Sequence, residues 1–221
     1  AVAIVMDVAE SLSTSPLPIP VAFAFFDAEE PPYYLTSSMG SIRFYREQNT
    51  RPIHSAIVLD LCGHDVPLPG LEHALFITGM ESSPTWVKIL KTCVPETPLG
   101  VVTTLNRYIG DMSDHHIFRV ENVPYLFMSC GRWKYYHDVN DTPEKLNYEK
   151  MAKIRDFLLR ILKETSKNPL IPSPGHFDPI DTELEFLQRA AGPLLKALGV
   201  SPRTRKDMDS LAQLFIGELG L

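Results

Sequence analysis

Glu29 and Glu30 are adjacent carboxylates. They end an apolar, aromatic-rich run, Val21-Ala22-Phe23-Ala24-Phe25-Phe26, and Pro31 and Pro32 follow at once. Neighbouring acids repel, and burial raises the cost of ionising both; a nearby cation would remove that penalty. Three other places carry matching groups. Asp60 sits near the end of Ser55-Ala56-Ile57-Val58-Leu59-Asp60-Leu61-Cys62-Gly63, where strand propensity and burial both disfavour an acid. Asp114 and His115 stand in the segment Gly110 to His116, and His137 follows Tyr135 and Tyr136 in a polar, aromatic loop. Glu30, Asp60 and His137, delivered from separate strand ends, make a candidate divalent-metal site. Mixed nitrogen and oxygen ligation suits zinc, and less commonly cobalt or manganese. Glu29, next to a ligand, is then a candidate general base for a metal-bound water. Each residue also has a plainer reading: Asp60 as a cap or turn acid, Asp114 as the cap of a short helix, His137 as a surface or hydrogen-bonded histidine, and the acid pair as a solvated loop. His54, His64, His73 and His176 are read as structural or solvent-facing.

The elements that must position these groups alternate between strand and helix. The run at 20–26 has no polar alternation, which predicts a strand buried on both faces. In open α/β sheets ligands bind beyond the carboxyl ends of such strands. Further strands are predicted at 55–63, 74–78 and 123–128. Helices are predicted at 1–13 (apolar Val2, Val5, Met6, Ala9, Leu12), 40–48, 84–93 and 147–163, the last with Met151, Ile154, Leu158, Ile161 and Leu162 on one stripe. This alternation predicts an α/β fold, a mostly parallel doubly wound sheet flanked by helices. Residues 168–180 are proline-rich and read as a linker. Two amphipathic helices follow, one from Asp181 with a kink or break at Gly192-Pro193, the other near 203–219 with Met208, Leu211, Phe215 and Leu219 apolar. The expected organisation is a domain over 1–167 and a helical extension over 168–221 that covers it, forms a lid, or pairs two copies.

The bulk properties exclude several classes. The chain has 221 residues, 44% apolar and 22% charged, enough for one α/β domain with a core. A net charge of −6 with no Lys/Arg stripe argues against nucleic-acid binding. No apolar stretch reaches the roughly 18 residues of a membrane span. Cys62, Cys93 and Cys130 form no CxxC pair, which leaves room for one disulfide but no zinc ribbon.

Asp27-Ala28-Glu29-Glu30, Gly40-Ser41, Val58-Leu59-Asp60-Leu61, Ser113-Asp114-His115 and Tyr136-His137 with Asp141-Thr142-Pro143-Glu144-Lys145-Leu146 occur in an order that resembles the M28 zinc exopeptidases, which include bacterial aminopeptidases and, as cousins, glutaminyl cyclases. The resemblance covers residues 1–165. It implies two zinc ions on an α/β sheet, Glu29 as general base and acid, Glu30 and His137 on one ion, Asp60 on the other, and Asp114 and His115 near metal or substrate. It implies a peptide substrate and export to the periplasm or outside. The family also places a His-x-Asp motif and a metal-bridging Asp upstream of a helix like 1–13, and neither is in this sequence. The chain starts inside a helix pattern, without an initiator Met, as expected if upstream residues are missing. By itself it is expected to be weakly active or inactive. The leading expectation is a zinc aminopeptidase; a glutaminyl cyclase and a metal-free interaction domain are the alternatives.

Overall fold

The computed structural model describes residues 1–48, 52–173, 175 and 177–219, with no side-chain description for 217–219. Its helices are α1 (Val2–Thr14), α2 (Gly40–Glu47), α3 (Pro84–Cys93), α4 (His115–Val120), α5 (Tyr148–Thr165), α6 (Ile180–Ala197) and α7 (Arg205–Leu219). Its strands are β1 (Ala56–Leu59), β2 (Ala74–Thr78), β3 (Gly100–Thr104) and β4 (Tyr125–Ser129), in the order β1-β4-β2-β3. The β1–β4 and β2–β3 pairings are parallel, and the central β4–β2 pairing is antiparallel. The α/β fold with a mostly parallel sheet and helices on both faces is thus present.

Side chains alternate between the faces of a strand, and here both faces are covered. Leu75, Ile77, Val101, Leu126 and Met128 pack on α1, α3 and α5 through Ile4, Trp86, Ile89, Leu90, Ile154, Phe157 and Ile161. On the other face Ala74, Phe76 and Val102 meet Leu187, Ala191, Leu195, Met208 and Leu211 of α6 and α7. Farther along that face Ala56 and Tyr125 meet Met39, Ile42, Ile117 and Phe118 of α2 and α4. Each fully buried Leu, Ile or Phe contributes about 1.5–3 kcal/mol. Local signals start the clearest helices: Pro84 at the first turn of α3, with the Ser83 hydroxyl accepting from Thr85 N, and Asn147 Oδ1 accepting from Lys150 N (2.9 Å) ahead of α5.

Several expectations are corrected. Residues 21–26 form no regular element and belong to no strand among the described residues, and Phe25 is 54% exposed. An apolar run reports a tendency to be covered, but only a hydrogen-bonded neighbour makes it a strand. The strand β3 follows Pro95 and Pro98 in a stretch that reads as irregular, yet its β-branched Val101-Val102-Thr103-Thr104 pairs with β2 throughout. On α1 the buried face is Ile4 and Val8, while Val2 and Met6 are exposed. Helix α6 carries on through Pro193, held by Leu187, Ala191 and Leu195 in the core; Leu198 is exposed. His64 is buried, and burial followed by the Lys150 charge lowers it to about 4. The three cysteines are free and buried. His176 and the side chain of Leu219 lie outside the described residues. Among the described residues no helix is long and apolar enough to cross a membrane.

Lys150 is fully buried, and its Nζ donates to His64 O and Glu72 O, both at 2.9 Å. The ammonium thereby holds together the loop between β1 and β2. Lys150→Met keeps the stem's volume but takes a donor from both carbonyls, leaving Glu72 O with Val66 N alone (3.1 Å) and His64 O unpaired, and is expected to cost about 2 kcal/mol. Urea denaturation measures it; a loss under about 0.5 kcal/mol would mean that these carbonyls find other partners.

Candidate active site

Asp60 lies one residue past β1, where its N–H still donates to Met128 O (3.1 Å). It stands at the exit of the strand, not within it, so its carboxylate leaves the sheet at the carboxyl ends of β1 and β4. Leu61 N then donates to Asp60 Oδ1 at 2.8 Å and sets the side chain's direction. Glu29 and Glu30 arrive on the irregular segment after residue 26. That segment is fastened by α2: Gly40 N donates to Asp27 O at 3.0 Å. A Cβ on Gly40 would lie 2.7 Å from Asp27 O and 2.8 Å from its Oδ1, so only glycine permits this approach. Gly40 therefore acts on the site through Asp27, and its neighbour Ser41 through Asp114.

The four acids act on one another. Burial, then the charges of Asp60, Glu30 and Asp114, push the Glu29 carboxyl up to about 7. Asp114 is raised as well, by burial and by Asp60, with the Ser41 hydroxyl working the other way; its Oδ1 is buried without a partner. Among the described residues no Lys or Arg is among the groups acting on Glu29. His137, far along the chain, comes to the rim with Nε2 3.0 Å from Glu30 Oε1, both side chains more than half exposed. Of the predicted residues, Glu29, Glu30, Asp60, Asp114 and His137 are thus brought to one place. His115 is not. Its ring is fully buried, its Nε2 lies 3.1 Å from Gly110 O, and it packs on Tyr125 and Phe127. One step along the first turn of α4 separates it from Asp114 and turns it into the core. Burial lowers it to about 4, so it is a neutral structural histidine.

Two tyrosines that the sequence reading assigned no role stand against the acids. Tyr136 is raised by burial and by Glu30, Asp60 and Glu29; Tyr34 by burial, Glu29 and Asp111. The usable signal for Tyr136 was its place beside His137; Tyr34 offered none. Backbone conformation also marks the site. Among the described residues five non-glycine residues have positive φ, and three of them, Ala28 (54°), Leu61 (47°) and His137 (57°), are a site residue or adjoin one. Such conformations cost on the order of 1–3 kcal/mol each and persist where surrounding structure imposes them.

As donors for a divalent cation these residues come together only in pairs. Glu30 and His137 already converge, and Asp60 approaches Glu29 from the sheet. Unrelieved repulsion among the acids is what a cation would remove. Among the described residues no three His, Cys, Asp or Glu side chains stand together closely enough to hold a metal by themselves. An apolar pocket adjoins Asp60 and Tyr136, extends over the sheet and ends against α7.

The model of peptidase family M28 matches residues 1–162. The uncharacterized protein YfbL of Escherichia coli (strain K12) is 24% identical over 164 residues, covering 64% of this chain and 50% of that protein; the chain spans about half the length of this curated relative. Among solved structures, the LapA aminopeptidase of Legionella pneumophila superimposes with a TM-score of 0.59 at 18% identity, covering 75% of this chain and 44% of that one. A glutaminyl cyclase of Tannerella forsythia does so with a TM-score of 0.56 at 18% identity, covering 72% and 60%. At these identities the likeness establishes the shared fold.

Proposed function

This chain belongs to peptidase family M28, and on that premise we propose that it carries much of the active site of a zinc-dependent aminopeptidase, which removes N-terminal residues from peptides. The observation that carries the reading is the acid cluster itself: Glu29 held near neutrality by burial, Asp60, Glu30 and Asp114, with the Glu30–His137 pair at its rim.

Glu30 and His137 would hold one zinc ion and Asp60 a second. Bound there, the metals would lower the pKa of water and polarise the scissile carbonyl. Glu29 takes the proton from the attacking water and returns it to the departing amine, which requires a carboxyl that exchanges protons near the working pH. Asp114, partly buried and within reach of the Asp60 charge, adds negative charge that favours cation binding. Tyr136 lines the cluster with a hydroxyl that can orient a peptide, whereas the Tyr34 hydroxyl donates to Asp111 O. His115 supports the Gly110 turn from the core and has no chemical part.

This chain provides two ligands to one ion and one to the other, so by itself it is expected to hydrolyse peptides weakly or not at all. In the full-length protein a zinc chelator is expected to abolish release of the terminal residue from leucine p-nitroanilide, and added zinc to restore it. Two zinc ions per chain are expected by elemental analysis. His137→Ala should weaken metal binding by at least about 10–100-fold, the range seen for groups that merely support a ligand. Hydrolysis that survives complete zinc removal would sink the reading. Release of ammonia from a Gln-initiated peptide, without hydrolysis, would point to cyclisation instead.

A further inference from the structure

The pocket beside Asp60 is built from two parts of the chain with different standing. Its floor is the sheet face that α6 and α7 cover: Phe76 and Thr78 of β2, Val102 and Thr104 of β3, Phe127 of β4. These alternate residues share a face because the register sets Phe76 opposite Val102, and Thr78 opposite both Thr104 and Phe127. Leu61 and Tyr136 line it toward the acids. The far wall is α7, through Ala212, Phe215 and Ile216. These fall at i, i+3 and i+4, one stripe of a helix. The match to the family model ends at residue 162, and α7 begins at Arg205. The wall is therefore supplied by a segment outside the matched region.

We propose that α7 is a specificity-determining element, and that Ala212, Phe215 and Ile216 close a pocket for the uncharged, apolar side chain of a peptide's N-terminal residue. The proposal rests on the aminopeptidase reading for the identity of the ligand. Three observations support it. The cavity measures about 80 Å³, several times what one water occupies and suited to a single side chain. Its lining is mostly apolar, with Asp60 and Arg132 its only charged members among the described residues, and its Thr78 Oγ1 is buried without a partner and lies against the space. That hydroxyl tolerates a weakly polar atom such as a methionine sulfur, and the apolar floor of Phe76, Val102 and Phe127 leaves a buried charge there without a counter-ion of its own. Finally, α7 is fastened and does not simply lie on the surface. Met208 and Leu211 are in the core, Asp209 accepts from Arg107 and Tyr108, and Arg205 Nη1 donates to the buried Glu183 Oε2 at 2.6 Å. The pocket-facing stripe begins one residue after Leu211, so the wall has a set position.

The test uses opposite changes in the full-length protein. Ala212→Phe should fill the pocket and Phe215→Ala should deepen it. The readout is kcat/KM for leucine, phenylalanine and alanine p-nitroanilides. Ala212→Phe is expected to lower the leucine-to-alanine ratio at least about 10-fold, since single methylenes in such pockets already shift rates 10–200-fold. Phe215→Ala is expected to raise the phenylalanine-to-leucine ratio. A second measurement needs no turnover: free L-leucine, but not glycine, should raise the melting temperature of the wild type, and Ala212→Phe should abolish that rise. If no anilide is cleaved, the aminopeptidase reading fails and the melting experiment alone decides the pocket. Unchanged ratios in both folded variants, or an L-leucine effect that is absent in the wild type or survives Ala212→Phe, would overturn the assignment.

Discussion

Glu29→Gln in the full-length protein is expected to reduce peptide hydrolysis by about 10²–10⁴-fold, the usual range for a positioned general base, while the fold stays intact. Glutamine has nearly the shape of the carboxyl it replaces, and no strand or helix depends on Glu29. The substitution also removes a charge that the site strains to hold. Burial, Asp60, Glu30 and Asp114 all act against ionised Glu29, and its pKa of about 7 is the result. In metal-free protein at pH 8, where wild-type Glu29 is mostly ionised, the variant should therefore melt at or above the wild type. The two readouts together separate chemistry from structure. Lost hydrolysis with unchanged melting is the expected pair. Hydrolysis retained within tenfold would remove Glu29 as the base, and a large fall in melting temperature would make it a structural residue.

Arg205→Met should cost on the order of 3 kcal/mol at pH 8, the lower end for stripping one partner from a buried ion pair. Glu183 is fully buried, and Arg205 reaches it at 2.6 Å while also pairing with Asp178. Burial raises the Glu183 carboxyl to about 7, against the pull of Arg205. A carboxyl raised in the folded state favours folding most when protonated. That contribution is complete below its ordinary value of 4.5 and is lost as pH rises through about 7. Without the guanidinium, Glu183 climbs further, and the penalty for ionising it grows with pH. The deficit of the variant should accordingly be small at pH 5 and large at pH 8. Urea denaturation at both values measures it. An equal loss at the two pH values would show that packing, not charge, is what Arg205 supplies. Because the same residue anchors α7, the variant should also blunt discrimination between leucine and alanine substrates.

The elements most legible in the sequence are those made by local interactions. The stripe of α5, its Asn147 cap and the Pro84 start of α3 are written in side chains a few positions apart, and the described structure has them. The buried strand β2 is equally plain. The less legible elements depend on distant partners. Residues 21–26 carry the composition of a buried strand, yet pairing is a relation between two segments, and no neighbour among the described residues takes them up. Proline-flanked β3 shows the converse, becoming a strand because β2 lies alongside.

The candidate chemistry divides in the same way. Residue types and their order along the chain were enough to nominate Glu29, Glu30, Asp60, Asp114 and His137 and to suggest a cation among them. Tertiary structure alone decides that His137 reaches Glu30, that His115 turns inward beside an acid that does not, and that Tyr34 and Tyr136 stand against the acids. It alone decides that α7, amphipathic by its sequence, walls a pocket that Asp60 also lines. Side-chain chemistry and helical period are properties of short stretches of chain. Convergence in space depends on which faces the sheet buries, and that depends on every element at once.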